Sequence, residues 1–162
     1  MNYANITKDD LNNGDGFRVV LWVQGCNHHC MFCQNPETWD KNKGLPFQQK
    51  EIDEILNELN KSYIKGLSLS GGDPLFPENR EEITNLCRLV KSKYPNKDIW
   101  CWTGYVYEEI KNLEILNYID ILVDGEFVNH LKDLSLRWRG SSNQRVIDVA
   151  KTRENNKIVL YE

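Results

Sequence analysis

The sequence predicts an α/β fold in a single domain at residues 1–162, with a parallel sheet of about five strands. Apolar and β-branched runs of strand length alternate along the chain with stretches in which apolar residues recur at helical spacing. Strands separated by helical patterns of about 10–15 residues are joined by right-handed crossovers, which makes neighbouring strands parallel. Such a sheet is either open or bent towards a barrel.

The first two strands and the helix between them are the clearest elements. Residues 17–24 are almost continuously apolar, as in a strand that is buried on both faces. A helix is predicted from about Gln48, because apolar residues recur at helical spacing with charged residues between them. Its buried face would carry Ile52, Ile55, Leu56 and Leu59. Residues 65–70 form the second predicted strand.

The rest of the chain continues the alternation. The further predicted elements are a helix at 83–90, a strand at 98–102, a helix at 107–116 and strands at 119–123 and 145–149. Two segments lie outside the pattern. Residues 1–16 are polar and are interpreted as a lead-in that ends in a turn, and residues 157–161 as a terminal extended segment.

Three of the five cysteines lie in one loop, residues 25–36, directly after the first predicted strand. These are Cys26, Cys30 and Cys33. Three thiolates on one tight loop suit a four-iron cluster, and they leave one iron open for a substrate or cofactor. Zinc is the alternative, because His28 or His29 would supply a fourth ligand. Structural zinc sites usually combine two separated pairs of ligands, so the crowded spacing favours the cluster.

Composition excludes several classes of protein. A net charge of −4, from 20 basic and 24 acidic residues, gives no sign of a broad nucleic-acid-binding face. The N-terminus lacks the pattern of a signal peptide, and no apolar run reaches the length of a membrane span. An odd number of cysteines argues for a reducing compartment, so we expect a cytoplasmic protein. Cys87 and Cys101 fall in apolar patterns and are expected to be buried.

A second motif, Gly71-Gly72-Asp73-Pro74, follows the second predicted strand. Paired glycines permit unusual backbone conformations, and they remove side chains that would keep a ligand away from the main chain. Alone, this turn is weak evidence of a site. Because the carboxyl ends of parallel strands meet at one edge of a sheet, however, it is expected to lie level with the cysteine loop.

Together these residues resemble a known superfamily. The motifs Cys26-x-x-x-Cys30-x-x-Cys33 and Gly71-Gly72-Asp73-Pro74 look like those of the radical S-adenosylmethionine enzymes. Within that superfamily, the chain resembles the activating proteins of anaerobic (class III) ribonucleoside-triphosphate reductases. The closer resemblance rests on residues 35–39, 102–105, 123–127 and 138–145. Of the two forms of sheet, we expect the bent one, a partial TIM-like βα barrel.

The resemblance implies a set of site residues. Cys26, Cys30 and Cys33 would hold a 4Fe-4S cluster, whose open iron would bind the amino and carboxylate groups of S-adenosylmethionine. Gly71, Gly72 and Asp73 would face the methionyl ammonium. Thr103, Gly104 and Asp124 would meet the ribose and the methionine. Glu126 is left unassigned, because a related group of activases has a cofactor-contacting lysine there.

The implied function is that of an activase. The reduced cluster would cleave S-adenosylmethionine, and the resulting radical would take a hydrogen atom from one glycine of the partner reductase. Reduced flavodoxin or a similar donor would supply the electron. The alternatives are an activase of another glycyl-radical enzyme, a small-molecule radical enzyme such as a deazaguanine synthase, and a zinc-binding adaptor.

The polar loop at residues 137–145 carries three arginines and one tryptophan. Arginine and tryptophan are enriched at the energetically dominant positions of protein interfaces. One hypothesis is therefore that this loop docks the reductase. The alternative is that Trp138 packs internally and Arg145 stabilises the fold.

Overall fold

The computed structural model describes residues 1–161, which form one mixed sheet of seven strands with helices packed on it. The strands are β1 (Asn2–Asp10), β2 (Phe17–Val23), β3 (Leu45–Pro46), β4 (Ile64–Gly71), β5 (Asp98–Trp102), β6 (Ile121–Asp124) and β7 (Arg145–Asp148). The helices are α1 (Gln49–Leu59), α2 (Arg80–Lys93), α3 (Tyr107–Ile110) and α4 (Val149–Asn155). The strand order across the sheet is β3-β1-β2-β4-β5-β6-β7.

The centre of the sheet confirms the predicted parallel arrangement. Strands β2, β4, β5 and β6 run parallel, and α1 and α2 lie in the first two crossovers. Val23 at the end of β2 pairs with Gly71 at the end of β4, and Trp102 at the end of β5 pairs with Val123 in β6. The carboxyl ends of these strands therefore meet at one edge of the sheet.

The predictions for the two sides of the sheet were wrong. Residues 2–10 are not a lead-in but form β1, antiparallel to β2, while β7 is antiparallel to β6 rather than a fifth parallel strand. The chain returns from β6 to β7 without a crossover helix, and that connection allows antiparallel pairing. The sheet is open, with β3 and β7 at its edges, and does not confirm a partial TIM-like barrel.

The helices differ from the prediction in the second half of the chain. The helix expected over 107–116 is only α3, followed by a separate 3₁₀ turn at Glu114–Asn117. Helix α4 was not predicted; it begins after Asp148, whose side chain accepts a hydrogen bond from the Lys151 N–H. Across residues 1–161, no helix combines the length and apolar character needed to cross a membrane.

The two faces of the sheet are covered differently. The alternating side chains of β5 show this, since Ile99 and Cys101 join the main core while Trp100 joins a second cluster on the other face. Helices α1 and α2 cover the main core. The second cluster is covered by Trp138 and Tyr161, so loops and the C-terminal segment, rather than helices, close this face.

Candidate active site

A cavity of about 410 Å³ opens at the carboxyl ends of the parallel strands. It is lined by all three cysteines of the loop and by five of the six residues predicted to bind the cofactor. Those five are Gly71, Gly72, Asp73, Thr103 and Gly104. Loops that are far apart in the sequence thus share one site, as expected for the ends of adjacent parallel strands.

The cysteine loop is held by backbone contacts before any cluster is considered. The Gly25 N–H donates to the Thr38 carbonyl at 2.8 Å, and the Cys26 N–H donates to the Trp39 carbonyl at 3.1 Å. His29 and Phe32 have φ of 48° and 59°, so the chain turns sharply on both sides of Cys30. These turns place three unpaired, half-buried cysteines at the cavity wall.

Two of the three thiols, Cys26 and Cys30, are in environments that favour the protonated form. Burial raises the pKa of Cys26 to about 11, and burial likewise raises the pKa of Cys30. A metal centre that binds here must therefore displace protons. Within residues 1–161, no three His, Cys, Asp or Glu side chains are grouped so as to hold a single metal ion. The three thiols fit a cluster by donor type, by number and by their shared cavity.

Gly71 and Gly72 allow the end of β4 to approach the cysteine loop closely. The Gly72 N–H donates to the Val23 carbonyl at 2.8 Å, and the Asp73 N–H donates to the Gly25 carbonyl at 2.7 Å. A Cβ added at Gly72 would lie 2.5 Å from the Gly25 carbonyl oxygen, and one at Gly71 would lie 2.5 Å from the Val23 nitrogen. A side chain at either position would displace the backbone that carries the cysteines.

Asp73 is a buried residue whose carboxylate is bonded to the turns after several strands. The Thr103 hydroxyl donates to Oδ1 at 2.8 Å, and the Leu75 N–H donates to the same oxygen at 2.8 Å. The Gly104 N–H donates to Oδ2 at 2.9 Å. Thr103 and Gly104 are therefore tied directly to Asp73, and one buried carboxylate fixes the turns that follow β4 and β5.

His28 enters the cavity and also reaches Asp73. Its Nε2 lies 2.8 Å from Asp73 Oδ2, and its Nδ1 lies 3.0 Å from Glu126 Oε2. The hydrogen bond to Asp73 is the main reason that the pKa of His28 is raised. The sequence suggested His28 only as a possible zinc ligand. Its position here depends on partners 45 and 98 residues away, which no local pattern reveals.

Asp124, the sixth predicted residue, lies outside the cavity lining of the described chain. Its buried carboxylate accepts hydrogen bonds from Arg145 Nη2 at 2.6 Å and from the Tyr107 N–H at 2.8 Å. The hydrogen bond with Asp124 is the main reason that the pKa of Arg145 is raised. The geometry gives Asp124 a structural role, joining β6, β7 and α3, while its neighbours Gly125 and Glu126 line the cavity.

The loop at residues 137–145 forms part of the cavity wall, a role that sequence reasoning missed. Trp138, Arg139, Gly140 and Gln144 line the cavity. The Trp102 indole N–H donates to the Trp138 carbonyl at 2.7 Å, and the Gln144 side chain donates to the Gly125 carbonyl at 2.9 Å. The Trp138 ring also packs edge-on against Trp100, at 4.8 Å between ring centroids. The predicted internal packing of Trp138 is therefore present.

Comparison with known proteins supports an iron–sulfur assignment. A family described as "4Fe-4S single cluster domain" matches residues 12–147. The chain is 51% identical over 146 residues to the anaerobic ribonucleoside-triphosphate reductase-activating protein of Enterobacteria phage T4, covering 90% of this chain and 93% of that protein. It is 48% identical to the protein of the same name from Escherichia coli K12, with coverage of 90% and 97%. The Vibrio cholerae counterpart is 45% identical, with coverage of 89% and 96%.

Proposed function

Because this chain belongs to the family of anaerobic ribonucleoside-triphosphate reductase-activating proteins, we propose that it is a radical S-adenosylmethionine activase acting on such a reductase. One observation carries the proposal: the three loop cysteines share a cavity with the Gly71–Asp73 turn and with Thr103 and Gly104. The first group supplies ligands for a cluster. The second supplies polar backbone and a carboxylate around a small ligand.

Cys26, Cys30 and Cys33 would hold a 4Fe-4S cluster. When bound and reduced, the cluster supplies the electron that cleaves S-adenosylmethionine, and the outcome of that chemistry is a glycyl radical on the reductase. The chain itself would bind the cluster and the cofactor and would keep water away from them. The three thiolates would hold the cluster at one side of the cavity, and Trp102 and Trp138 line the cavity with apolar surface.

The cofactor would lie between the cysteine loop and the turns after β4 and β5. Gly71, Gly72 and Asp73 would receive the methionyl ammonium, with Thr103 and Gly104 beside it. Since the Asp73 oxygens already accept hydrogen bonds from the chain, we assign Asp73 chiefly to shaping the turn and to supplying negative charge. The backbone carbonyls of Gly71 and Gly72 would then be the direct acceptors.

The protein substrate would be the reductase, approaching the open side of the cavity, and reduced flavodoxin or a similar donor would supply electrons. Single-domain organisation over residues 1–162 and a cytoplasmic location, without nucleic-acid or membrane partners, complete the proposal. Asp124 is retained as a predicted cofactor residue, although its contacts favour a structural role.

The test is anaerobic reconstitution of the wild-type chain beside Cys30→Ala and Cys87→Ala. Wild type and Cys87→Ala should bind about four irons per chain, show visible iron–sulfur absorption and cleave S-adenosylmethionine with an artificial reductant. With the reductase added, both should give a glycyl-radical signal by electron paramagnetic resonance. Cys30→Ala should fail each assay. A stable cluster in Cys30→Ala, or a wild-type chain that binds zinc and stays colourless, would refute the proposal.

A further inference from the structure

The adjacent residues His28 and His29 point to opposite sides of the cysteine loop, and each side chain is anchored. His28 points into the cavity, 2.8 Å from Asp73 and 3.0 Å from Glu126. His29 points outward, and its ring stacks on Trp39 with centroids 4.4 Å apart and an interplanar angle of 7°. The segment between Cys26 and Cys30 is therefore held from both sides.

The backbone of this segment requires such support. His29 has a positive φ, 48°, in the left-handed region that residues with a Cβ seldom adopt. Such a conformation persists when surrounding contacts determine it. The Trp39 stack contacts His29 itself, and the two hydrogen bonds contact the residue before it. Because Cys30 directly follows His29, the contacts that fix this turn also fix the position of Cys30.

The two anchors of His28 differ in burial. The Asp73 side chain is 2% exposed and holds the turns after β4 and β5, whereas the Glu126 side chain is 52% exposed and lies after β6. Because a buried hydrogen bond to a charged group is stronger than a solvated one, the Asp73 contact is the main anchor. The His28 ring also packs edge-on against Tyr105, at 4.7 Å between centroids. Through one side chain, the cysteine loop is joined to three strand ends.

We propose that His28 is a positioning residue for the iron–sulfur cluster, with His29 in a lesser, parallel role. His28 holds the cysteine loop in its cluster-binding form through Asp73 and Glu126, and it does not bind iron. This inference rests on the proposed function, in which Cys26, Cys30 and Cys33 are the ligands. Partners that orient metal ligands without touching the metal typically change metal affinity by about 10- to 100-fold.

The experiment measures how fast the reconstituted cluster is lost to an excess of ferrous chelator under anaerobic conditions, by the decay of visible absorption. His28→Ala should lose its cluster about tenfold faster than wild type, and His29→Ala about threefold faster. Asn27→Ala is the matched control, because Asn27 is an exposed residue of the same loop, and its rate should equal that of wild type.

Two conservative variants separate positioning from general packing. In His28→Gln the side-chain amide nitrogen takes roughly the place of Nε2 and can donate to Asp73. In His28→Asn it takes roughly the place of Nδ1 and can donate to Glu126. Because Asp73 is the buried anchor, Gln should restore more of the cluster lifetime than Asn. If only ring packing mattered, both would behave like Ala.

Three results would overturn the inference: a His28→Ala cluster as long-lived as that of wild type, Gln and Asn variants that both behave like Ala, or Asn restoring more lifetime than Gln. If His28→Ala does not fold in the cluster-free state, as judged by circular dichroism, the Gln and Asn variants decide the question alone. Failure of the proposed function looks different: wild type and Asn27→Ala would then bind no 4Fe-4S cluster at all.

Discussion

The cavity has two kinds of wall, and they are built on different principles. The first wall consists of the turns after β2, β4 and β5, and we call it the Asp73 wall. These turns meet at the buried carboxylate of Asp73. The loop between β6 and β7, residues 125–144, forms the other wall, which we call the late loop; it is held by the packing of Trp138 and by Gln144. The Asp73 wall depends on one buried carboxylate, whereas the late loop is held by several separate contacts.

This difference has a consequence for function. In the Asp73 wall, the cysteine loop, the Gly71–Asp73 turn and Thr103 share one carboxylate, so the loss of that group should affect all three. The ends of the late loop are joined at the sheet, where Arg145 of β7 is bonded to Asp124 of β6, and Glu126 is its contact with His28. Damage to either wall should therefore affect cluster binding and fold stability in different proportions.

The largest effect is expected at the centre of the Asp73 wall. Asp73→Ala removes the acceptor for Thr103, for two backbone N–H groups and for His28, so it should lower the free energy of unfolding by at least about 3 kcal/mol. It should also shorten the lifetime of the cluster. Denaturant unfolding of the cluster-free chain measures the first effect. Asp53→Ala, at an exposed helix position, is the control; equal stability of the two variants would contradict the role of Asp73.

A smaller effect is expected where the late loop joins the sheet. Arg145→Ala leaves Asp124 buried without its cation, which should lower the free energy of unfolding by about 2 kcal/mol while cluster lifetime stays unchanged. Glu108→Ala tests the exposed partner of the same arginine and should cost less than about 0.5 kcal/mol. If Arg145→Ala shortened cluster lifetime as strongly as His28→Ala, the proposed difference between the two walls would be wrong.

Arg139 and Arg137 both lie in the late loop but differ in their position relative to the cavity. Arg139 lines the cavity, whereas Arg137 is exposed and stacks on Trp138. We expect Arg139→Ala to weaken S-adenosylmethionine binding by about threefold to tenfold, the size of one lost hydrogen bond, with little change in Arg137→Ala. Calorimetry on the reconstituted proteins measures this. Unchanged binding and cleavage by Arg139→Ala, with loss of reductase activation, would instead support the docking hypothesis for this loop.

The smallest effect is expected at the cysteines of the core. Cys101 is fully buried on the helix-covered face, and burial raises its pKa well above the usual range, so it stays a neutral thiol. Cys101→Ala should keep the iron content of wild type and cost no more than about 1 kcal/mol of unfolding free energy. A fall in iron content would show that the cluster extends beyond the cysteine loop.

The sequence predicted the Asp73 wall better than the late loop, for physical reasons. Cys26, Gly72 and Thr103 follow strands whose parallel pairing is evident from helical crossovers, so their convergence was foreseeable. At the end of a strand, the pleat of the sheet decides towards which face a side chain points. A local sequence pattern does not reveal this direction. Asp124 was therefore predicted at the cofactor, but its side chain is bonded to Arg145.

The remaining differences have the same origin in long-range contacts. Strand β1 was missed because most of its residues are polar. A strand that is largely accessible to solvent can have such a composition. Strand β7 is antiparallel because the late loop returns the chain without a helix. His28 acquires its position only when three distant turns come together. Local patterns predicted the loops that line the cavity, and Asp73 within them, but not the contacts of His28 and Gln144 that hold those loops in place.

In the proposed function, one cavity holds both the cluster and S-adenosylmethionine, with the cofactor bound to the open iron. Electron–nuclear double resonance on the reduced, reconstituted chain tests this directly, using S-adenosylmethionine labelled with ¹⁵N at the methionyl amino group. We expect a ¹⁵N coupling to the cluster in the wild type. A 4Fe-4S signal without that coupling, at saturating S-adenosylmethionine, would contradict it.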